Sequence, residues 1–285
     1  MLEEKKIEQA LKLSLARMQK SPGAPRLGQA MQYAVFPGGA RIRPRLCLAV
    51  AKACGMNDEN ASIAACVSIE LIHCASLAHD DLPCFDNAAL RRGKKSTHIE
   101  FGQPLAVLAG DSLIIGAFEE LAISLVQNPQ KLAGLIVILA KASGMPSGIC
   151  SGQGWESEKE IDLSSYHKLK TSSLFAAASQ MGALSAGRKP ENWADLGSGI
   201  GEAFQIADDL RDFADSHDII GKPIKQDISN NRPNAVAELG FDKARAIIRE
   251  TLDRAIDSIP TCTGKDDLIL AIKEQAKKLM NVGLV

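Results

Sequence analysis

Two clusters of aspartates are the residues in this sequence whose type and spacing could do chemistry. The first, HDDLPCFD (79–86), comes at the end of an apolar stretch, and the second, QIADDLRD (205–212), lies within another. Helical geometry puts Asp208 and Asp212 about 40° apart on one face. Facing carboxylates repel in a low-dielectric interior, and hard divalent cations relieve that repulsion. Because Mg²⁺ completes its shell with water and substrate phosphates, the clusters predict a magnesium–diphosphate site.

Basic residues near the clusters extend this prediction. They are Arg41 and Arg43 after a Pro-Gly-Gly turn, Arg91 and Arg92 after the first cluster, Lys170 beside Thr171, and Lys222 and Lys225 after the second cluster. Guanidinium forks and lysine ammonium groups are the usual ligands of phosphate groups in proteins. Taken with two acidic clusters, they indicate two neighbouring polyanion sites.

Helices are predicted to position all of these residues. Helical periodicity recurs, strict apolar/polar alternation is absent over long stretches, and the breaks carry Gly or Pro. The predicted helices are Glu3–Lys20, Pro25–Ala34, Ile42–Cys54, Glu59–His79, Pro104–Val126, Gln130–Ala142, Ser165–Ala186, Trp193–Ala214, Asp242–Ser258 and Lys265–Met280. Segments 64–78 and 203–214 are apolar over more than one stripe, which is typical of an inner layer. With no linker in the sequence, we expect one all-α domain over residues 1–285.

Composition excludes several function classes. The 285 residues are 46% hydrophobic and 24% charged, as in an ordinary globular domain. Because 33 Lys+Arg balance 34 Asp+Glu, we expect no nucleic-acid partner. The seven cysteines include no CxxC pair, which favours free buried thiols in a reducing cytoplasm. The N-terminus lacks a signal peptide's apolar core, and the most apolar stretch, Leu132–Ala140, is far short of the roughly 20 residues that span a bilayer, so we expect a cytoplasmic protein without a transmembrane segment.

Eight ordered motifs resemble those of the trans-isoprenyl diphosphate synthases. They are GGARIRP (38–44), HDDLPCFD (79–86), LRRG (90–93), LAGD (108–111), GQGWESE (152–158), KTSSLF (170–175), FQIADDLRD (204–212) and GKPIKQD (221–227). The details look most like the geranylgeranyl diphosphate synthases of photosynthetic bacteria. The resemblance implies a bundle of ten or more helices around a central apolar cavity. It also implies a homodimer that condenses isopentenyl diphosphate head-to-tail with allylic diphosphates for isoprenoid and carotenoid biosynthesis.

The resemblance assigns roles to individual residues. Asp80, Asp86, Asp208 and Asp212 match ligands of Mg²⁺, three ions per site in the family, with Asp81 and Asp209 in support. Arg91, Lys170, Thr171, Gln205 and Lys222 match positions that hold the allylic diphosphate. Arg43, His73 and Arg92 match positions that bind isopentenyl diphosphate. Among these, Asp80, Asp81, Asp86, Lys170 and Asp208 are expected to carry catalysis, which ionises an allylic C–O bond.

Two features bear on substrate capture and product length. Ala40 stands where many members have a lysine that helps bind isopentenyl diphosphate, so we expect weaker electrostatic capture, left mainly to Arg43 and Arg92. In the family, an aromatic side chain at the position of Ala75 closes the pocket near fifteen carbons. Here Ala75 and Ser76 are small, with Ile72 deeper along the helix, and these three residues predict a C20 product.

Three alternatives stay open. A farnesyl diphosphate (C15) synthase of the same family would differ only in pocket depth. A class I terpene cyclase would normally carry an Asn/Ser/Glu second motif and more than 4% aromatic residues. A non-catalytic regulatory subunit would normally lack one of the two aspartate motifs.

Overall fold

Twelve α-helices make up most of the part of the chain that the computed structural model describes, which is residues 2–36, 39–160, 166, 168–218 and 241–280. They are α1 Leu2–Met18, α2 Pro25–Val35, α3 Ile42–Ala53, α4 Glu59–Asp80, α5 Thr97–Phe101, α6 Gln103–Ser124, α7 Pro129–Ser143, α8 Ile149–Gly154, α9 Ser173–Ser185, α10 Ala194–Asp218, α11 Phe241–Asp257 and α12 Lys265–Met280. A π-helical turn, Lys168–Ser172, precedes α9. The prediction of an all-α fold is confirmed.

The predicted helices agree with the observed ones to within a few residues, apart from the following four differences. The short helices α5 and α8 lie between predicted helices, in segments to which the sequence analysis assigned no element. Strands β1 (Leu90–Arg91) and β2 (Lys94–Lys95) form an antiparallel hairpin that was not predicted. The π-helical turn replaces the early part of the predicted helix 165–186, whose residues 165 and 167 lie outside the described residues.

Helix α4 forms the centre of the core, as its apolar sequence predicted. Asp58 caps its first turn by accepting a hydrogen bond from the Ala61 N–H at 2.9 Å. Ile69 and Leu71, on different sides of the helix, are both fully buried. The helix is long and apolar enough to cross a membrane, but 78% of its apolar window is buried against other helices. Protein packing therefore covers the surface that a lipid bilayer would otherwise cover.

Helices α3 and α9 pack on each other with backbone in contact. A Cβ atom at Gly182 of α9 would overlap the carbonyl oxygen of Cys47 on α3. A Cβ at Gly197 of α10 would likewise overlap the carbonyl oxygen of Phe175. Glycine at these two positions lets three helices approach more closely than side chains would permit.

The cysteines bear on the predicted thiol chemistry. All seven are free, and Cys47, Cys54, Cys66 and Cys74 are buried. The prediction of buried thiols is wrong for Cys84, Cys150 and Cys262. These three lie in loops or at helix ends and keep solvent contact.

Candidate active site

The first aspartate cluster lies where α4 ends and the chain turns back on it. Asp80 is the last residue of the helix and Asp81 is its C-cap. The Asp86 N–H donates to the Asp80 carbonyl at 3.0 Å, and the Ala88 N–H donates to the Asp81 carbonyl at 3.2 Å. These bonds satisfy carbonyl groups that a helix end leaves open. They also keep the three acidic residues together at one end of α4.

Asp81 is paired with Arg91. Nε and Nη2 of Arg91 donate to Oδ1 of Asp81 at 2.9 and 2.5 Å, and the Asp81 side chain is 3% exposed. Burial raises the pKa of Asp81, and the hydrogen bond from Arg91 opposes that rise. Arg91 Nη2 also lies 3.8 Å from Asp80 Oδ2. The pair therefore fixes the guanidinium group of Arg91 at the edge of the acidic cluster.

Asp80 lies beside Lys170. Its Oδ1 atom is buried and accepts no hydrogen bond, and Lys170 Nζ is 3.6 Å away. Burial raises the pKa of Asp80, the Lys170 charge opposes the rise, and the Asp86 charge adds to it. A buried carboxylate oxygen without a hydrogen bond is costly unless a cation compensates it. The nearby Lys170 ammonium supplies part of that compensation, and a carboxylate oxygen of this kind is also the type of ligand that divalent cations prefer.

Glu156 is a site residue to which the sequence analysis gave no role. Its Oε1 accepts hydrogen bonds from Lys170 Nζ at 2.7 Å and from the Tyr166 hydroxyl at 2.6 Å. Its Oε2 accepts one from Gln153 Nε2 at 2.6 Å. Gln153 and Glu156 are three residues apart, which places both on one side of a helical turn. That spacing is the sequence signal that could have identified Glu156.

Three of the predicted allylic-diphosphate residues, Lys170, Thr171 and Gln205, lie in or against the π-helical turn 168–172. The hydroxyl of Thr171 donates to Gln205 Oε1 at 2.5 Å, joining the turn to α10. Cβ atoms at Gly152 and Gly201 would overlap the backbone of this turn, so α8 and α10 contact it directly. Such turns often occur at functional sites because they displace side chains from the regular helical register.

The predicted isopentenyl-diphosphate residues also come together. Arg43 is buried, and its Nη1 lies 3.3 Å from His73 Nε2. Burial, with a contribution from the Arg92 charge, lowers the pKa of Arg43 to about 10. Burial and the Arg43 charge hold the pKa of His73 well below its ordinary value. His73 is therefore neutral, and its Nε2 accepts the N–H of Arg43. A Cβ at Gly39 would overlap the Arg92 guanidinium, which therefore lies directly against Gly39.

Arg41 does not belong to this group, although the sequence placed it beside Arg43. Its backbone is left-handed (φ 49°), and its guanidinium donates to Glu70 Oε1 at 2.6 Å and Glu8 Oε1 at 2.7 Å. It also donates to the Val35 carbonyl at 2.9 Å. The interpretation of Arg41 as a phosphate ligand is therefore wrong, because two carboxylates already neutralise its charge.

The second aspartate cluster is only partly described. Asp208 is half-buried on α10, and its charge raises the pKa of Arg43 against the effect of burial. The side chains of Asp209 and Asp212, and all of Lys222, lie outside the described residues. Among the side chains that are described, no three or more His, Cys, Asp or Glu residues form a closed metal site.

The predicted chain-length residues lie on the buried side of α4. Ile72 and Ala75 are 3% and 0% exposed, and the Ser76 hydroxyl donates to the His73 carbonyl at 2.9 Å. An apolar cavity of about 210 Å³ lies elsewhere and is lined by none of these three residues. Its walls come from α3, α10, α11 and α12, and include Leu46, Ala49, Ile200, Phe204, Leu252 and Ile272.

Comparison with known proteins identifies the relatives of this chain. The family model described as polyprenyl synthetase matches residues 24–272. The chain is 51% identical to the geranylgeranyl diphosphate synthase of Cereibacter sphaeroides, covering 97% of this chain and 96% of the relative. It is 50% identical to that of Rhodobacter capsulatus, covering 98% and 96%. The crystal structure of an FPP/GFPP synthase from Zymomonas mobilis superimposes with a TM-score of 0.80 at 31% identity, covering 96% of this chain and 97% of the other. The chain therefore belongs to the polyprenyl synthetase family and is a prenyltransferase.

Proposed function

We propose that this prenyltransferase condenses isopentenyl diphosphate head-to-tail with allylic diphosphates, and that its main product is geranylgeranyl diphosphate (C20). One observation carries the proposal: two groups of anion-binding side chains lie along α4. Lys170 and Arg91 lie beside Asp80, whereas Arg43 lies beside His73. Seven residues separate the two points, about 10 Å along the helix. Two diphosphates could therefore bind with their carbon chains meeting between them.

Magnesium fits the first cluster. The fit rests on Asp80, whose buried Oδ1 lacks a hydrogen bond and whose pKa is raised by burial and, in part, by the Asp86 charge. We assign Asp80, Asp86 and Asp208 as ligands, with Asp212 as a further ligand outside the described side chains, and expect three ions per site. When bound, Mg²⁺ would neutralise negative charge on the leaving diphosphate.

The residues around Lys170 would act on the allylic substrate. The C–O bond to its diphosphate breaks, leaving an allylic carbocation and a diphosphate anion. Lys170 and Arg91 would stabilise the charge that develops on the phosphate oxygens, and such preorganised electrostatics is usually the largest catalytic contribution. The Thr171 hydroxyl and the Gln205 amide would orient the diphosphate of the allylic substrate, and Lys222 would complete its binding site.

Arg43, His73 and Arg92 would hold isopentenyl diphosphate. Its double bond attacks the carbocation, a carbon–carbon bond forms, and one proton leaves. The released diphosphate can accept that proton, so the protein need not supply a base. His73 is engaged with Arg43 as an acceptor, which suits substrate positioning rather than proton transfer. Apolar groups such as Phe204 would keep water from the carbocation.

The C20 product rests on side-chain size along α4. Ala75 and Ser76 are small, an aromatic residue there would block the path that we propose for the tail, and Ile72 lies about a turn deeper. The Cereibacter and Rhodobacter relatives are geranylgeranyl diphosphate synthases, which supports the same product length. The Zymomonas relative is an FPP/GFPP synthase, so a C15 product remains the second candidate.

The proposed enzyme is a cytoplasmic, single-domain homodimer. Support for a dimer comes from α6, where Val107, Leu108, Ile115 and Ile123 are each at least 39% exposed. Exposed apolar side chains on one helix suit contact with a second copy. The free cysteines support a reducing compartment. The motifs shared with photosynthetic bacteria support a role in carotenoid biosynthesis.

A product assay tests the proposal. Purified protein would be incubated with Mg²⁺, isopentenyl diphosphate and C5, C10 or C15 allylic diphosphate, with EDTA as the control. The expected result is a C20 product that EDTA abolishes. A C15 product alone would retain the chemistry and discard the C20 assignment. No condensation with any primer would overturn the proposal in favour of a regulatory subunit or a cyclase.

A further inference from the structure

Arg43 is a buried cation that no carboxylate in the described part of the chain hydrogen-bonds. Its Nε atom is buried without a hydrogen-bond partner, and its Nη1 meets only the neutral ring of His73, at 3.3 Å. Arg43 is also one of the two cations expected to capture isopentenyl diphosphate, because position 40 holds alanine. Something other than a salt bridge must therefore hold its guanidinium group in place.

The face of the guanidinium group lies on an aromatic ring. Cζ of Arg43 lies 4.4 Å from the ring centroid of Phe175, which is fully buried. This is within the range in which a cation is attracted to the negative face of the ring, and desolvation strengthens that attraction. Phe175 follows Lys170 by five residues in the KTSSLF motif, but no role has been assigned to it above.

The ring itself is held firmly. Phe204 packs against Phe175 with centroids 5.4 Å apart and planes tilted by 42°. Helices α3 and α9, which carry Arg43 and Phe175, meet again where Gly182 contacts the Cys47 carbonyl. That contact lies four residues after Arg43 and seven after Phe175. The separation between guanidinium and ring is therefore fixed by backbone packing as well as by the side chains.

We propose that Phe175 is a positioning residue for isopentenyl diphosphate and that it acts through Arg43. The ring holds one face of the guanidinium, His73 accepts one N–H, and the remaining N–H groups stay available to the substrate diphosphate. The inference rests on the proposed function, since it assigns Arg43 to that substrate. It adds that an uncharged side chain from the allylic motif helps to bind the other substrate.

A double-mutant cycle tests this role. The affinity of isopentenyl diphosphate would be measured by calorimetry for wild type, Phe175→Leu, Arg43→Gln and the double variant, with KM and kcat alongside. Phe175→Leu should weaken binding of isopentenyl diphosphate about tenfold, the size expected for a desolvated cation–π contact. It should change the allylic KM and kcat less than twofold. In the Arg43→Gln background the same substitution should have no further effect.

The controls separate positioning from general packing. Phe101→Leu removes a ring that contacts Tyr33 instead and should leave affinity for isopentenyl diphosphate unchanged. If Phe175→Leu does not fold, trifluorophenylalanine at position 175 keeps the shape and weakens only the attraction. Additive losses of affinity in the double variant, or full affinity with the fluorinated ring, would overturn the positioning role of Phe175 but not the proposed function. Binding without condensation in wild type would instead count against the proposed function, and no binding to wild type would overturn both.

Discussion

The ammonium group of Lys170 lies between two carboxylates, donating to Glu156 Oε1 at 2.7 Å and standing 3.6 Å from Asp80 Oδ1. Burial by itself lowers the pKa of Lys170, but the charges of Asp80 and Glu156 raise it above the ordinary lysine value. The ammonium is thus charged and oriented before a substrate arrives. It links the acidic end of α4 to the π-helical turn.

Removing Glu156 should impair binding of the allylic substrate. Without its carboxylate, Lys170 regains rotamer freedom that must be lost again on binding, so Glu156→Ala should raise the allylic KM up to about tenfold. The KM for isopentenyl diphosphate should stay unchanged. Steady-state kinetics with both substrates checks this, with exposed Glu158→Ala as the matched control. A lower allylic KM would show that Glu156 competes with the substrate for Lys170.

A lysine at position 40 should strengthen capture of isopentenyl diphosphate. Ala40 is exposed and follows Gly39, against which the Arg92 guanidinium lies. An ammonium group added at position 40 can therefore reach solvent and the diphosphate that Arg92 is proposed to bind. Ala40→Lys should lower the KM for that substrate severalfold, and added salt should reduce the gain because exposed charges are screened. Kinetics at low and high ionic strength would check both effects, with Ala40→Gln as the uncharged control. Equal effects of Lys and Gln would contradict the electrostatic explanation.

An aromatic side chain at position 75 should shorten the product. Ala75 is fully buried on α4, so a tyrosine ring there would occupy the path proposed for the growing tail. Ala75→Tyr should shift the product from C20 toward C15, as measured by chromatographic sizing of the dephosphorylated alcohols. Ala75→Ser, which adds little volume, should keep C20. A tyrosine variant that still makes only C20 would show that the tail takes another path.

Arg41→Ala should destabilise the fold rather than slow one substrate step. The substitution leaves Glu70, whose side chain is 2% exposed, as a buried carboxylate without its guanidinium partner. Breaking a buried ion pair in this way costs about 3–5 kcal/mol. Urea unfolding followed by circular dichroism would measure the loss. Substituting exposed Arg26 with alanine should cost under about 0.5 kcal/mol, and a similarly small loss at Arg41 would contradict its structural role.

His73 should make stability depend on pH. Its pKa is well below 6.5 in the folded chain and near 6.5 when unfolded. Below that pH the unfolded state binds a proton that the folded state does not, so stability falls as the pH falls, by up to about 1.4 kcal/mol per unit. Between about pH 7 and 5.5, wild type should therefore lose more unfolding free energy than His73→Gln. Equal losses in urea titrations would show that His73 is not held neutral.

Local pattern predicted most of the fold and much of the site. The apolar segment Ala64–Ala78 predicted an inner helix. It lies within α4, which is the core helix. The family resemblance placed Lys170, Thr171 and Gln205 in one group, and the hydrogen bond between the last two agrees with that placement. Such features were accessible because they depend on periodicity and short motifs.

What the sequence could not separate was set by contacts between distant segments. Arg41 and Arg43 are two residues apart and chemically identical, yet of the two only Arg41 hydrogen-bonds to described carboxylates. Its partners, Glu8 and Glu70, lie 33 and 29 positions away in the sequence. The left-handed backbone at Arg41 directs it to them. The hairpin was missed for a related reason, since a pair of two-residue strands is too short to show alternation.

The contact between Gly182 and Cys47 has a consequence for directed evolution of this enzyme. A side chain at position 182 would force α3 and α9 apart. Arg43 would then move away from Phe175, although neither of these two residues had been substituted. Mutant libraries restricted to charged or pocket-lining positions would therefore sample only part of the sequence that determines specificity. The absence of a side chain at Gly182 sets the spacing between α3 and α9. No substitution at the charged residues could restore that spacing once it is lost.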